Sequence, residues 1–175
     1  MKHNPDERFP IVEEDGTVIG SATRAECHGG SMLLHPVVHL HVVTKDGSVF
    51  LQKRSMTKDI QPGKWDTAVG GHVDCGETIA QAVAREAMEE LDIDASDAKL
   101  LKRYVFTSSV ERELVNTHYI VVDTESFNPV PATDEVDDAR FWSRKEIEEA
   151  LGKDILTPNL EMELKNILPL ISTDI

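Results

Sequence analysis

Residues 70–93 read GGHVDCGETIAQAVAREAMEELDI: two glycines, a turn-rich stretch and a segment, 77–91, whose Ala, Ile, Val and Met content favours helix. On a helix Glu86 and Glu90 are four residues apart and Glu86 and Glu89 three apart, so their carboxylates crowd one face. Like charges at that spacing repel. Ile79, Ala82, Val83 and Ala87 can bury the opposite side, and an ordinary amphipathic surface helix explains much of the pattern. The approach to the helix argues for more. Gly70-Gly71 permits close backbone contact, and Glu77 lies where it can pair with Arg85, eight residues along the helix or across its leading loop. Hard divalent cations such as Mg²⁺ take oxygen ligands, often beside substrate phosphates, and coordination cancels the repulsion of clustered carboxylates.

Working outward, Asp15-Gly16 separates the short apolar stretches IVEE and TVIG within residues 9–20, a hairpin signal whose turn tolerates positive φ. Residues 35–53 repeat the logic with HPVVHLHVV, a Lys45-Asp46-Gly47 turn and VFLQK. In that strand His35, Val37, His39 and His41 share one face and Val38, Leu40 and Val42 the other, so His39 and His41 read as the polar side of a half-buried sheet. A polar turn-rich stretch and a short DTAV strand lead to the glycine pair. Beyond the helix, AKLLKRYVFTSS and LVNTHYIVVD predict two strands separated by the charged ERE at 111–113. SRKEIEEAL opens with a capping box, Ser143 and Glu146, and TPNLEMELKNIL opens with Thr157 as N-cap and Pro158 at N1. Hairpins and a few helices without regular βαβ alternation predict an α+β fold, a mixed sheet sandwiched by helices.

No linker, low-complexity tract or repeat interrupts the 175 residues, which read as one domain over 1–175. Eighteen Lys+Arg against 32 Asp+Glu leave a net charge of −14, which argues against non-specific nucleic-acid binding. An anionic substrate must therefore be met by local cations. No apolar run approaches the roughly 20 residues that span a bilayer. Cys27 and Cys75 lack CxxC spacing, which suggests neither a disulfide scaffold nor a cysteine-rich zinc site and fits a reducing cytosol. The polar start MKHNPDERFP lacks a secretory core, so a cytoplasmic chain is expected.

Residues 71–93 resemble the Nudix box, G-x5-E-x7-R-E-U-x-E-E-x-G-U with U aliphatic: Gly71, Glu77, Arg85, Glu86, Glu89 and Glu90 all match. Ala87 is a small occupant of an aliphatic site, and Asp92 stands where the family has its last Gly. That glycine ends the helix, and Asp tolerates the left-handed conformation, so little catalytic loss is expected. The resemblance implies a Nudix-type α/β/α sandwich around a mixed β-sheet, covering about residues 9–168. It also implies that Glu86, Glu89 and Glu90, with a backbone carbonyl near Gly71, ligate Mg²⁺ or Mn²⁺, while Glu77 and Arg85 hold helix and loop in register. The chemistry implied is metal-dependent hydrolysis of a phosphoanhydride bond in a small diphosphate compound, most simply a nucleoside diphosphate linked to a moiety X. The family often forms homodimers.

Outside the box, His28 and His35 are seven apart, His72 follows Gly71, and Glu111 and Glu113 project to one face if extended. Taken singly, each reads as an ordinary structural or surface residue. Together they resemble the metal site of type I isopentenyl diphosphate isomerase, a Nudix-fold enzyme with His-x6-His, Cys-x-His and Glu-x-Glu ligand segments. Arg54 and Lys58 fall where that enzyme binds diphosphate, before the PGKWD stretch at 62–66. Imidazole and carboxylate ligands suit Zn²⁺, Mn²⁺ or Fe²⁺ better than Mg²⁺. The isomerase moves a carbon-bound proton with a cysteine where this chain has Gly70, and no Trp follows Trp142.

The sequence thus favours a hydrolase over an isomerase, and the intact carboxylates disfavour a catalytically silent ligand sensor. Trp65, Tyr104, Phe106 and Tyr119 suit core packing better than base stacking.

Overall fold

The computed structural model describes residues 4–58, 60–132 and 136–171. The chain opens with the hairpin expected at Asp15-Gly16, β1 (Arg8–Val12) with β2 (Val18–Thr23), followed by a short helix α1 (Arg24–His28). Then come β3 (Leu34–Val43), β4 (Val49–Arg54), β5 (Trp65–Thr67), β6 (Val69–His72) and helix α2 (Ile79–Leu91). The chain continues through β7 (Lys99–Thr107), β8 (Arg112–Val121) and β9 (Val136–Trp142) to α3 (Arg144–Ala150) and α4 (Pro158–Asn166).

Strands β3 to β9 form one seven-stranded sheet. Its centre is the parallel pair β3–β8, and the other pairings are antiparallel, so the sheet is mixed as expected. β3 and β4 share only the register pairs Val42↔Phe50 and Val43↔Val49. Past that point they diverge: β6 takes over the freed edge of β3, from Val37↔His72 to Leu40↔Val69, and β5 takes over that of β4. The fork brings the glycine pair against the middle of the sheet.

Alternation along β3 divides the core. Val38, Leu40 and Val42, with Phe50 and Val69, pack against Ala82, Val83, Ala87 and Leu91 of α2. On the other face Val43, Val49, Leu51 and Trp142 pack against Ile147 and Ala150 of α3 and Leu160 and Leu164 of α4. The result is the helix–sheet–helix sandwich expected from the sequence. Trp65 and Tyr119 pack against this second cluster, and the Trp65 and Trp142 rings meet edge to face at 5.1 Å.

The caps were legible in the sequence. Ser143 and Glu146 form the capping box of α3, and the Thr157 hydroxyl accepts from the Leu160 amide ahead of Pro158. Asp92 ends α2 at φ 55°, ψ 44°, in the left-handed conformation expected of it. Three details differ. α2 starts at Ile79 rather than 77, because Thr78 is its N-cap. Arg112 and Glu113, read as part of a charged separator, belong to β8. β9, with exposed Asp137 and Asp138, and the five-residue α1 carry too little apolar periodicity to be read as elements. Cys27 and Cys75 are both free thiols. Among the described residues no helix is long and apolar enough to cross a membrane.

Candidate active site

β6 presents two chemistries because successive residues of a strand face opposite ways. Gly71 faces α2, opposite Val38, while Gly70 and His72 face the α4 side, opposite His39 and Val37.

On the α2 side the carboxylates gather as their spacing predicts. Arg85 is the hub, with a forked, charge-assisted grip on Glu77 through Nε (2.8 Å) and Nη2 (2.9 Å). Nη2 also donates to the His72 carbonyl at 3.0 Å, tying the helix to the end of β6. Nη1 donates to Glu86 at 2.7 Å and reaches Glu89 at 3.4 Å. Glu77 accepts from the Asp74 amide as well, which closes the leading loop. Of the two routes open to the Glu77–Arg85 pair, the structure takes the one from the loop.

Glu86 packs directly on Gly71: a Cβ there would lie 2.2 Å from the Glu86 carboxyl carbon. Its side chain is only 12% exposed, and burial raises its pKa despite the Arg85 partner. The Arg85 hydrogen bonds hold the Glu77 carboxyl below its usual range. Glu90 accepts from the Gly70 amide at 3.2 Å and from the Gln52 side chain at 3.4 Å. Gln52 was not read as a site residue, since nothing near it in sequence marks its contact with α2.

Arg54 stands two residues beyond Gln52 on β4, about 7 Å along the same strand face. It donates to Asp66 at 3.3 Å and to the Ile60 carbonyl at 3.1 Å. Lys58, itself half-buried, follows the exposed turn after β4.

On the other side His28, His35, His72, Glu111 and Glu113 come together from α1, β3, β6 and the start of β8. Candidate ligand atoms of the three histidines lie within 4.8 Å of one another, as do those of His35, Glu111 and Glu113. His28 Nε2 is 3.1 Å from His72 Nε2 and 3.2 Å from Glu111 Oε2, and His35 Nε2 is 3.8 Å from the same oxygen. His35 Nδ1 donates to the Leu33 carbonyl at 3.0 Å, which turns the Nε2 lone pair toward the cluster. Phe9 stacks on His72, ring centroids 4.4 Å apart, and walls the group in. His28 arrives through α1, whose capping box, Thr23 with Glu26, was a sequence signal that could have located it.

Burial lowers the His35 pKa, which favours the neutral ligand form, and raises that of Glu111. Glu113 is pushed up to about 7, by burial first and then by the Glu111 charge. His35 Nε2 and Glu111 Oε2 are buried without a hydrogen-bond partner among the described residues. Two orphaned acceptors 3.8 Å apart are what a cation would satisfy, so imidazoles and carboxylates here fit a transition metal.

His39 and His41 differ from their reading as the polar side of a half-buried sheet. His41 is fully buried and His39 half-buried, and both bond Glu163 of α4. Tyr104, expected in the core, also gives its hydroxyl to Glu163, at 2.6 Å.

Residues 33–160 match the family model of the NUDIX domain. The chain belongs to the Nudix hydrolase family. Over 139 residues, 76% of this chain and 80% of the relative, it is 32% identical to an uncharacterized Nudix hydrolase of Listeria innocua. It is also 37% identical over 87 residues to an isopentenyl-diphosphate Delta-isomerase of Leifsonia xyli, but that match spans about half of each, 50% of this chain and 47% of the isomerase. The solved DR0079 protein of Deinococcus radiodurans shares the fold with a TM-score of 0.75 at 21% identity, covering 92% of this chain and 99% of that one. The general activity of Nudix hydrolases is pyrophosphohydrolysis of small molecules, typically with Mg²⁺ or Mn²⁺.

Proposed function

We propose that this Nudix protein hydrolyses the phosphoanhydride bond of a small nucleoside-diphosphate-X compound, with Glu86, Glu89, Glu90 and the Gly71 carbonyl holding Mg²⁺ or Mn²⁺. The observation that carries the reading is the packing of Glu86 on Gly71, a cradle that any side chain at 71 would fill. A cation bound there neutralises diphosphate oxygens and lowers the pKa of an attacking water. Arg85 and Glu77 are positioning residues that fix α2 against the loop, and the Gly70 amide and Gln52 hold the Glu90 carboxylate. Arg54 and Lys58 supply substrate-binding charge on an otherwise acidic protein.

Phosphorus NMR with Mg²⁺ or Mn²⁺ and a panel of diphosphates tests this. New monophosphate or phosphate resonances, lost in Glu89→Gln or Glu90→Gln, are expected. Full activity in either variant would remove that residue from the site.

A second reading, isopentenyl diphosphate isomerase, draws on the convergence of His28, His35, His72, Glu111 and Glu113, which we propose hold Zn²⁺, Mn²⁺ or Fe²⁺. Gly70 weighs against it, since no thiol stands there to move a carbon-bound proton.

A further inference from the structure

Glu163 of α4 is fully buried, and each of its oxygens accepts two hydrogen bonds, so the carboxylate is enclosed by donors. Oε1 receives His41 Nε2–H at 2.9 Å and the Thr117 hydroxyl, while Oε2 receives His39 Nδ1–H and the Tyr104 hydroxyl, each at 2.6 Å. The donors come from β3, β7 and β8, so a single acid of α4 gathers the centre of the sheet. Tyr104 and Thr117 are neutral at ordinary pH, and His41 gives one N–H. A buried carboxylate needs compensating positive charge, and His39 and His41 are the groups placed to supply it.

His39 also differs from the other three donors in where its remaining ring edge goes. Nδ1 is used by Glu163, and among the described residues Nε2 has no hydrogen-bond partner. The His39 side chain is 14% exposed and lies beside Gly70, which is solvent-exposed. A Cβ built at Gly70 would meet only His39 Cδ2 at 3.6 Å and the Val38 carbonyl at 3.9 Å. Cδ2 is bonded to Nε2, so the unpartnered nitrogen borders the open space that Gly70 leaves. That space adjoins both halves of the site. The Gly70 amide holds Glu90, and His72 faces the same side two residues on, about 7 Å along the strand.

We propose that His39 is a substrate-contacting residue, presenting Nε2–H to a phosphate oxygen over Gly70, with Glu163 as the positioning residue that holds the ring. The proposal rests on the diphosphate reading above for the class of ligand. Burial opposes charging the ring, but the Glu163 carboxylate overrides it and His39 is raised to about 9, so both nitrogens carry protons at neutral pH. The acids of Asp66 on β5 and Glu113 on β8 add to that effect. An imidazolium whose carboxylate partner is sealed away from solvent has one donor left, on the ring edge whose Cδ2 borders Gly70. The contact is a hydrogen bond to an anionic oxygen, with no proton transfer required.

The test uses the full chain, Mg²⁺ and inorganic pyrophosphate. With ¹⁵N-labelled histidine, pyrophosphate is expected to shift the His39 Nε2 resonance, and calorimetry to show binding weakened about tenfold to a hundredfold in His39→Gln, as for a lost charged hydrogen bond. Mn²⁺ affinity of that variant should equal the parent's, which a general loosening of the site would not leave intact. Glu163→Gln should weaken pyrophosphate binding in the same way, and if it fails to fold the wild-type titration and His39→Gln still decide. Pyrophosphate binding that leaves the His39 resonance unmoved, parent-like affinity in a folded His39→Gln, or no pyrophosphate binding by the parent would each overturn the proposal. Absence of turnover across the nucleotide panel would defeat the hydrolase reading separately, leaving a demonstrated His39–pyrophosphate contact in place.

Discussion

A methyl group on residue 71 would sit 2.2 Å from the Glu86 carboxyl carbon, nearer than any Cβ contact, so Gly71→Ala must push that carboxylate out of its seat. Mn²⁺ affinity should fall by about tenfold or more, as when the support of a ligand is removed, with the melting temperature little changed. Calorimetric titration of Mn²⁺ checks this, and unaltered affinity would mean the Glu86–Gly71 packing has no part in binding. The neighbouring glycine behaves oppositely: a Cβ at Gly70 makes only ordinary contacts, so Gly70→Cys should fold with a stability change of less than about 1 kcal/mol by urea titration. Glu77, Arg85, Glu86, Glu89 and Glu90 were legible because helical spacing alone brings most of them together. Gln52 was not, because its contact with Glu90 exists only once β4 lies beside α2. Glu163 was hidden more thoroughly. In sequence it is one more acid in a polar helix, and its partner His41 lies 122 residues upstream.

At the scale of the element, α4 docks on the sheet through Leu160 and Leu164 and through one ionised carboxylate, Glu163, which adds a pH-dependent part to its attachment. Burial works to raise the Glu163 pKa, and His39 and His41 override it and hold the group below the usual range. A depressed carboxyl stabilises fully above its ordinary 4.5 and loses that contribution as pH falls below it. His39 has the opposite sign: raised from 6.5 to about 9, it stabilises fully below 6.5 and loses the contribution as pH climbs through about 9. The attachment is therefore firmest between about pH 5 and 6.5. Calorimetric melting temperatures of the metal-free protein should decline from pH 7 to 9, and the decline should be shallower in His39→Gln; equal slopes would show that His39 does not titrate against Glu163. The C-terminus of α2 offers a simpler check. Asp92→Gly should stabilise by up to about 1 kcal/mol in urea, because glycine enters the left-handed region without steric penalty. The longer helices α2, α3 and α4 and strands with clean alternation could be read in advance, whereas the five-residue α1 was missed despite its capping box. β9 could not, because an edge strand buries too little to impose a pattern on its acidic residues.

Across the whole molecule, a net charge of −14 repels a diphosphate before any local cation is felt. At fixed free Mg²⁺ the KM for an anionic substrate should therefore fall severalfold as ionic strength rises from about 0.01 M to 0.15 M and the Debye length shrinks from about 30 Å to 8 Å. A KM that rises instead would show that local cations already steer the substrate in. The layered fold itself was legible, since hairpins and three helices, two of them with readable caps, admit few arrangements, whereas the forked sheet was not, because nothing local dictates where β3 and β4 part. That fork leaves a four-residue strand, β6, carrying Gly71 toward one helix layer and Gly70 and His72 toward the other. Sliding such a strand by one position would turn every side chain to the opposite face. A deletion ahead of Gly70 would bring His72 opposite Val38, where the glycine cradle stands, and Val73 opposite Val37, where His72 stands, so both clusters would be dismantled in one event. An insertion there would keep a glycine at the cradle but put Gly71 where His72 stands, so either length change costs at least one cluster, and altering the site while keeping both is left to side-chain replacement on an unshifted β6.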